Sequence, residues 1–184
     1  FYFMQQNGNS IGRMSTFSDE EAALNRSWRA LLQTQTLIDN MAFERMAQTD
    51  AADIRKGITE ARNELRSADV AFNLFWETPG LTVSRPDLGE AMKTVYLAQQ
   101  AVLKQELTLL ADTPQAALIE RLHAMAVEKR QVRQRLDSQF ADYMRATVAA
   151  HRLAVEAAVQ TQKVFARLLS GTLAAILLLL VRSE

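Results

Sequence analysis

Sixteen arginines against five lysines are the chain's main chemical resource. Arginine makes planar, two-pronged contacts with carboxylates and other oxyanions, so this bias points to anion handling or to salt-bridged helix surfaces. Basic and acidic residues balance at 21 each, so no global field gathers nucleic acid. The densest basic run, Lys129, Arg130, Arg133 and Arg135, has no aromatic residues among its cations. It reads as a solvated or salt-bridged helix face and not as a stacking platform for bases.

Other chemistry lacks its parts. Cysteine is absent, which removes thiol catalysis, thiolate metal sites and disulfides. His123 and His151 stand 28 residues apart, and neither has the i+4 partner of zinc-binding helices. Both are expected to be structural or surface residues. Asp50, Asp53 and Glu60 read as the acidic start of a helix. Glycine is too scattered for a phosphate loop, and no serine, histidine and aspartate suggest a triad. No enzymatic activity, metal or cofactor is expected.

The elements that position these residues are helices. A three-four alternation through Met14, Phe17, Glu21, Leu24, Trp28, Leu31, Gln35, Ile38, Ala42 and Arg45 predicts a first helix from about residue 11 to 46. Thr49, Asp50 and Asp53 offer caps and early acidic groups for a second. Its stripe is Ile54, Ile58, Ala61, Leu65, Ala68, Phe72 and Phe75. Pro79, Gly80 and Pro86 then break the pattern. A third helix follows from Pro86 with Leu88, Met92, Val95, Val102, Leu107 and Leu110 inward. Asp112, Thr113 and Pro114 supply the next cap and first-turn proline. The fourth helix has no stop signal, and Leu118, Leu122, Met125, Val132, Leu136, Phe140, Tyr143, Val148, Val155 and Val159 form its stripe. Phe72, Phe75 and Trp76 are expected in the core at the bundle's lower end.

At 1.5 Å per residue the outer helices would be roughly 60 to 75 Å long and the inner two about 40 Å. The expected fold is therefore all-α: an up-down-up-down antiparallel four-helix bundle with two long, membrane-connected helices and two shorter ones packed on their distal part. Residues 168–181 are uncharged, a stretch of 14 that falls short of the roughly 20 a crossing needs. Residues 164–184 are expected to start a second membrane helix, cut short, and the apolar, largely aromatic residues 1–4 to end a first. Residues 5–163 would be the domain between them, on one side of the bilayer.

That helix order, with Trp28, Leu31, Leu32, Gln33 and Thr34 in the first helix, resembles the periplasmic sensing domain of bacterial methyl-accepting chemotaxis proteins, closest to the aspartate and serine receptor type. The resemblance implies a homodimer in the inner membrane, with ligand held at the distal dimer interface by arginines of the first helix and the start of the fourth. It also implies a small slide of the fourth helix as the signal. The family's arginine positions fall on Gln35, Asn40 and Glu44, and a neighbouring serine position on Asp39. Those on the fourth helix fall on Ile119, Leu122 and Ala124.

None keeps the family's polar group, and Glu44 would repel an α-carboxylate. The expected ligand is thus a small molecule other than aspartate, an organic acid or similar anion, with Gln35, Asp39, Asn40, Arg45, Arg121 and His123 as candidate contacts. Arg45 and Arg121 have a plainer reading as solvated residues or partners of Glu44 and Glu120. Other readings are a histidine-kinase or cyclase sensor, a domain met by a periplasmic solute-binding protein, and a ligand-free membrane-anchored interaction bundle.

Overall fold

The structure is a computed structural model that describes residues 2–47 and 51–182, with side chains for residues 17–47 and 51–175. The expected caps Thr49 and Asp50, the inward Met14, the aromatic side chains of residues 1–4 and the apolar side chains of residues 176–181 lie outside these described residues. The chain is helical: α1 Tyr2–Met46, α2 Ala51–Glu77, α3 Leu81–Ser84, α4 Pro86–Asp112 and α5 Gln115–Arg182. α1 starts nine residues earlier than periodicity alone placed it, and one helical turn, α3, occupies the loop expected between the second and third helices.

The sequence signals act where they stand. Pro86 opens α4 with Asp87 in its first turn. The Arg85 guanidinium grips the Asp87 carboxylate at 2.9 and 2.7 Å. At the distal end the Thr113 N–H donates to the Leu109 carbonyl at 3.0 Å, and the Pro114 carbonyl accepts from Ala117 and Leu118. From Gln115 onward α5 runs 68 residues without interruption.

The seven residues of the α2 stripe are all buried. Around them Phe72 stacks on Tyr96, with centroids 3.8 Å apart, and Phe75 meets Tyr143 edge-on at 5.4 Å. α1 differs from its predicted stripe by one edge. Its buried row is Glu20, Leu24, Ser27, Leu31, Thr34, Ile38 and Met41. The predicted Glu21, Trp28, Gln35 and Ala42 form the half-buried flank instead. Both rows keep the three-four spacing and share Leu24, Leu31 and Ile38, so period alone could not choose between them. The polar members of the true row have hydrogen-bond partners. Ser27 Oγ donates to the Ala68 carbonyl at 3.1 Å, and Thr34 Oγ1 to that of Ala30 at 2.8 Å.

Glu20 ties the lower loop to α1. Its buried carboxylate accepts the Leu81 N–H at 2.5 Å, the Thr82 N–H at 3.0 Å and the Thr82 hydroxyl. The Tyr143 phenol lies beside it, and burial together with this carboxylate pushes the phenol pKa up.

Below that level only α1 and α5 continue, as a two-helix stalk in which Phe17 meets His151 at 5.7 Å. Val148, Val155 and Val159, expected inward, are 65%, 49% and 42% exposed, because each lies one residue past the inward row of buried Thr147 and half-buried His151, Ala154 and Ala158. Trp76 is likewise no core residue; it is 37% exposed and carries Lys93 Nζ over its ring at 4.3 Å. Among the described residues no helix is long and apolar enough to cross a membrane.

Candidate functional site

α4 and α5 bring a charged cluster against the middle of α1. Lys129 Nζ of α5 donates to Asp39 Oδ1 of α1 at 2.8 Å and to Glu106 Oε1 of α4 at 2.7 Å. Gln35 Nε2, one turn from Asp39, donates to the same Oδ1 at 2.9 Å. The Glu106 side chain is only 5% exposed, and its Oε2 is buried without a partner. Burial raises the Glu106 pKa against the opposing pull of the Lys129 ammonium. For Lys129 the two carboxylates outweigh burial and raise the ammonium's pKa.

Gln35 also lines a groove of about 300 Å³ with Lys129, Arg130 and Arg133. Lys129 is ion-paired with two carboxylates and so leaves no surplus positive charge at this face. Arg133 donates to Asp137 at 3.0 Å and holds its guanidinium 5.2 Å from the Trp28 ring. Arg130 is exposed and makes no ion pair or side-chain hydrogen bond among the described residues. The cations at the α1–α5 face thus come from α5, where the sequence resemblance implied arginines on α1. A free guanidinium beside an amide and an ion-paired ammonium is suited to a small oxyanion.

The other predicted contacts separate. Arg45 Nη2 donates to the Thr113 carbonyl at 2.5 Å, while Gln115 Nε2 donates to the Arg45 carbonyl at 2.5 Å. Arg45 therefore pins the distal α4–α5 turn and is paired with this carbonyl and not with Glu44. Asn40 lies in a cleft of about 300 Å³ on the α2 side, with Glu44, Asp53, Lys56 and Glu60. Its acidic neighbours disfavour an anion there. Arg121 and His123 are exposed on α5, and neither makes a hydrogen bond or ion pair among the described residues. Of the six candidates, Gln35 and Asp39 are brought together. Ile119, at one of the family's contact positions, is exposed.

Lys129, Arg130 and Glu106 were absent from the candidate set. A solvated or salt-bridged face describes the whole run, with Lys129 and Arg133 ion-paired and Arg130 solvent-exposed between them, and it does not single out Arg130. Glu106 had a usable signal: Met92, Tyr96, Gln99, Leu103, Glu106 and Leu110 form an unbroken 4-3-4-3-4 series, all buried. Demanding apolar residues at every position hid that row. Among the described residues no cluster of three metal-ligating side chains occurs.

Two comparisons bear on this arrangement. The family model described as Tar ligand binding domain homologue matches residues 1–142. A methyl-accepting chemotaxis aspartate transducer from Klebsiella aerogenes is 21% identical over 178 residues, 97% of this chain and 32% of that protein. The chain thus spans about a third of the length of that curated relative.

Proposed function

The chain belongs to the Tar ligand-binding-domain family, and from that premise we propose that it is the ligand-sensing part of a bacterial chemoreceptor whose ligand is a small organic anion other than aspartate. The relative's printed name says aspartate. In this chain the α1 positions where the resemblance implies arginines hold Gln35, Asn40 and Glu44, and the cations of the α1–α5 face sit on α5. In the proposed complex, Arg130 and the Gln35 amide hold the anion in the groove of a homodimer, with Lys129 kept in place by Asp39 and Glu106. Residues 5–163 form the periplasmic domain, and residues 1–4 and 164–184 belong to its inner-membrane helices.

The observation that carries this reading is the continuity of α5. One helix bears Lys129, Arg130 and Arg133 in its upper part and the apolar tail at its lower end. No proline interrupts it between Gln115 and Arg182, and a kink would absorb a small axial shift before it reached the membrane. An anion drawn between α1 and α5 would displace one helix against the other by about 1–2 Å, the scale of helix shifts at subunit interfaces.

A thermal-shift screen of the chain in detergent against amino acids and small organic acids tests this. One or a few carboxylates are expected to raise the midpoint, aspartate is not, and Arg130→Ala is expected to abolish the shift. A panel that leaves the midpoint unchanged, or a shift that survives Arg130→Ala, contradicts the reading.

A further inference from the structure

A second basic groove lies on the other side of the bundle, between the ends of α1 and α4 and the first turns of α2. It holds about 530 Å³ and is lined by the guanidinium-bearing residues Arg45, Arg55 and Arg62. Its floor is apolar, with Ile54, Ile58 and Leu110 buried beneath it. No acidic side chain is among its lining residues. Arg55 and Arg62 make no ion pair or side-chain hydrogen bond among the described residues. Arg45 spends one amino group on the Thr113 carbonyl, while its Nε–H is buried without an acceptor.

Three like charges around one concavity repel each other, and low-dielectric walls focus their field into the space between them. The buried Arg45 Nε–H has no acceptor, and a shift of that side chain toward an oxyanion in the groove would remove its cost. Arg55 and Arg62 are two turns apart on α2, about 10.5 Å along the axis. Side chains converging from that separation suit two carboxylates joined by a short carbon chain. The apolar floor favours such an organic ion over bare phosphate or sulfate, because the hydrocarbon between the charges has somewhere to lie. The volume falls within the usual range for small-molecule sites, roughly 300–1,000 Å³.

We propose that this α1–α2–α4 groove is a second ligand site, which takes a short di- or tricarboxylate with one carboxylate on Arg55 and another on Arg62, beside the Arg45 Nε–H. It shares no lining residue with the Gln35–Arg130 groove and stands whether or not that groove binds anything. Because Arg45 also pins the α4–α5 turn, an occupant would tighten the start of α5.

Calorimetric titration of the 184-residue chain in detergent with succinate and with citrate tests the proposal, with sulfate as the inorganic probe. Saturable binding of at least one carboxylate is expected, weakened about tenfold or more in Arg55→Ala/Arg62→Ala. Thr59→Glu places a carboxylate on the same rim and is expected to weaken it similarly. Both changes are at exposed positions, and circular dichroism of the variants checks that the helices are retained. The proposal is overturned if neither carboxylate binds, if sulfate binds as tightly as both, or if affinity is unchanged in both variants. Loss of binding in Arg130→Ala with retention in Arg55→Ala/Arg62→Ala assigns the carboxylate to the α1–α5 groove and overturns it as well.

Discussion

Trp28 of α1 stacks on Phe140 of α5, with ring centroids 4.3 Å apart and planes 25° from parallel. The Arg133 guanidinium lies 5.2 Å from the Trp28 ring, so one indole couples the two long helices and steadies a cation of the candidate groove. Trp28 is half-buried, so Trp28→Ala is expected to cost about 2–3 kcal/mol, less than a fully buried tryptophan. Phe140→Ala should cost a similar amount. Urea denaturation of both single variants and the double should show a double-variant loss smaller than the sum, since the residues share one contact.

Gly80 is required by its neighbour, not by its backbone. A Cβ there would stand 2.2 Å from Glu20 Oε2, the oxygen that accepts the Leu81 N–H. Gly80→Ala should therefore destabilise the fold by about 1–3 kcal/mol, as overpacking does. Combined with Glu20→Ala, which removes the carboxyl group and leaves the Cβ of position 20 at 3.0 Å, the alanine at position 80 should cost less than it does alone. Equal costs in both backgrounds would show that the carboxylate does not hold this loop.

The Lys129–Glu106 pair predicts a pH signature. Burial raises the folded-state pKa of Glu106, so the folded state keeps its proton to higher pH than the unfolded chain. Folding then takes up a proton between the two values, and this contribution to stability is lost as pH rises through the folded pKa. Glu106→Gln should flatten that part of the stability curve. Lys129→Met removes the only ion-pair partner of Glu106 among the described residues. It should cost about 1–3 kcal/mol where the carboxyl is ionised, given that the lysine is partly exposed, and progressively less as pH falls through the folded-state pKa of Glu106 and the carboxyl becomes neutral.

Gln99 is 1% exposed, and its Oε1 has no partner. A buried acceptor without a donor costs about 1–3 kcal/mol, and an apolar residue of similar length removes that cost. Gln99→Met should leave stability unchanged or raise it by about 1 kcal/mol in thermal denaturation. A loss of that size would mean that the amide makes a structural contribution beyond the contacts described above.

Legibility in the sequence followed how uniquely periodicity could be assigned. α2 was readable residue by residue, because Ile54 through Phe75 offers one apolar row and no competing one. α1 carries two rows sharing Leu24, Leu31 and Ile38, and the buried one contains Glu20, Ser27 and Thr34, which hydrophobicity does not select. In α4 the same filter passed over Gln99 and Glu106. In α5 the expected stripe slips by one residue below Tyr143: Val148, Val155 and Val159 were picked out by their apolarity, whereas the row that faces inward runs through Thr147, His151, Ala154 and Ala158. The candidate site was the least legible part. Gln35 and Asp39 were found by position, whereas Lys129 and Arg130 depend on which face of α5 meets α1.

The most direct test of a chemoreceptor domain that senses a small anion between α1 and α5 is a calorimetric titration of the chain with the best carboxylate from the screen. Wild type and Arg130→Ala are compared, with aspartate as the reference ligand. The account predicts saturable binding of the carboxylate, at least about tenfold weaker in Arg130→Ala, and weaker binding of aspartate than of that carboxylate. Equal affinity in the two proteins, or aspartate bound as tightly as the carboxylate, contradicts it.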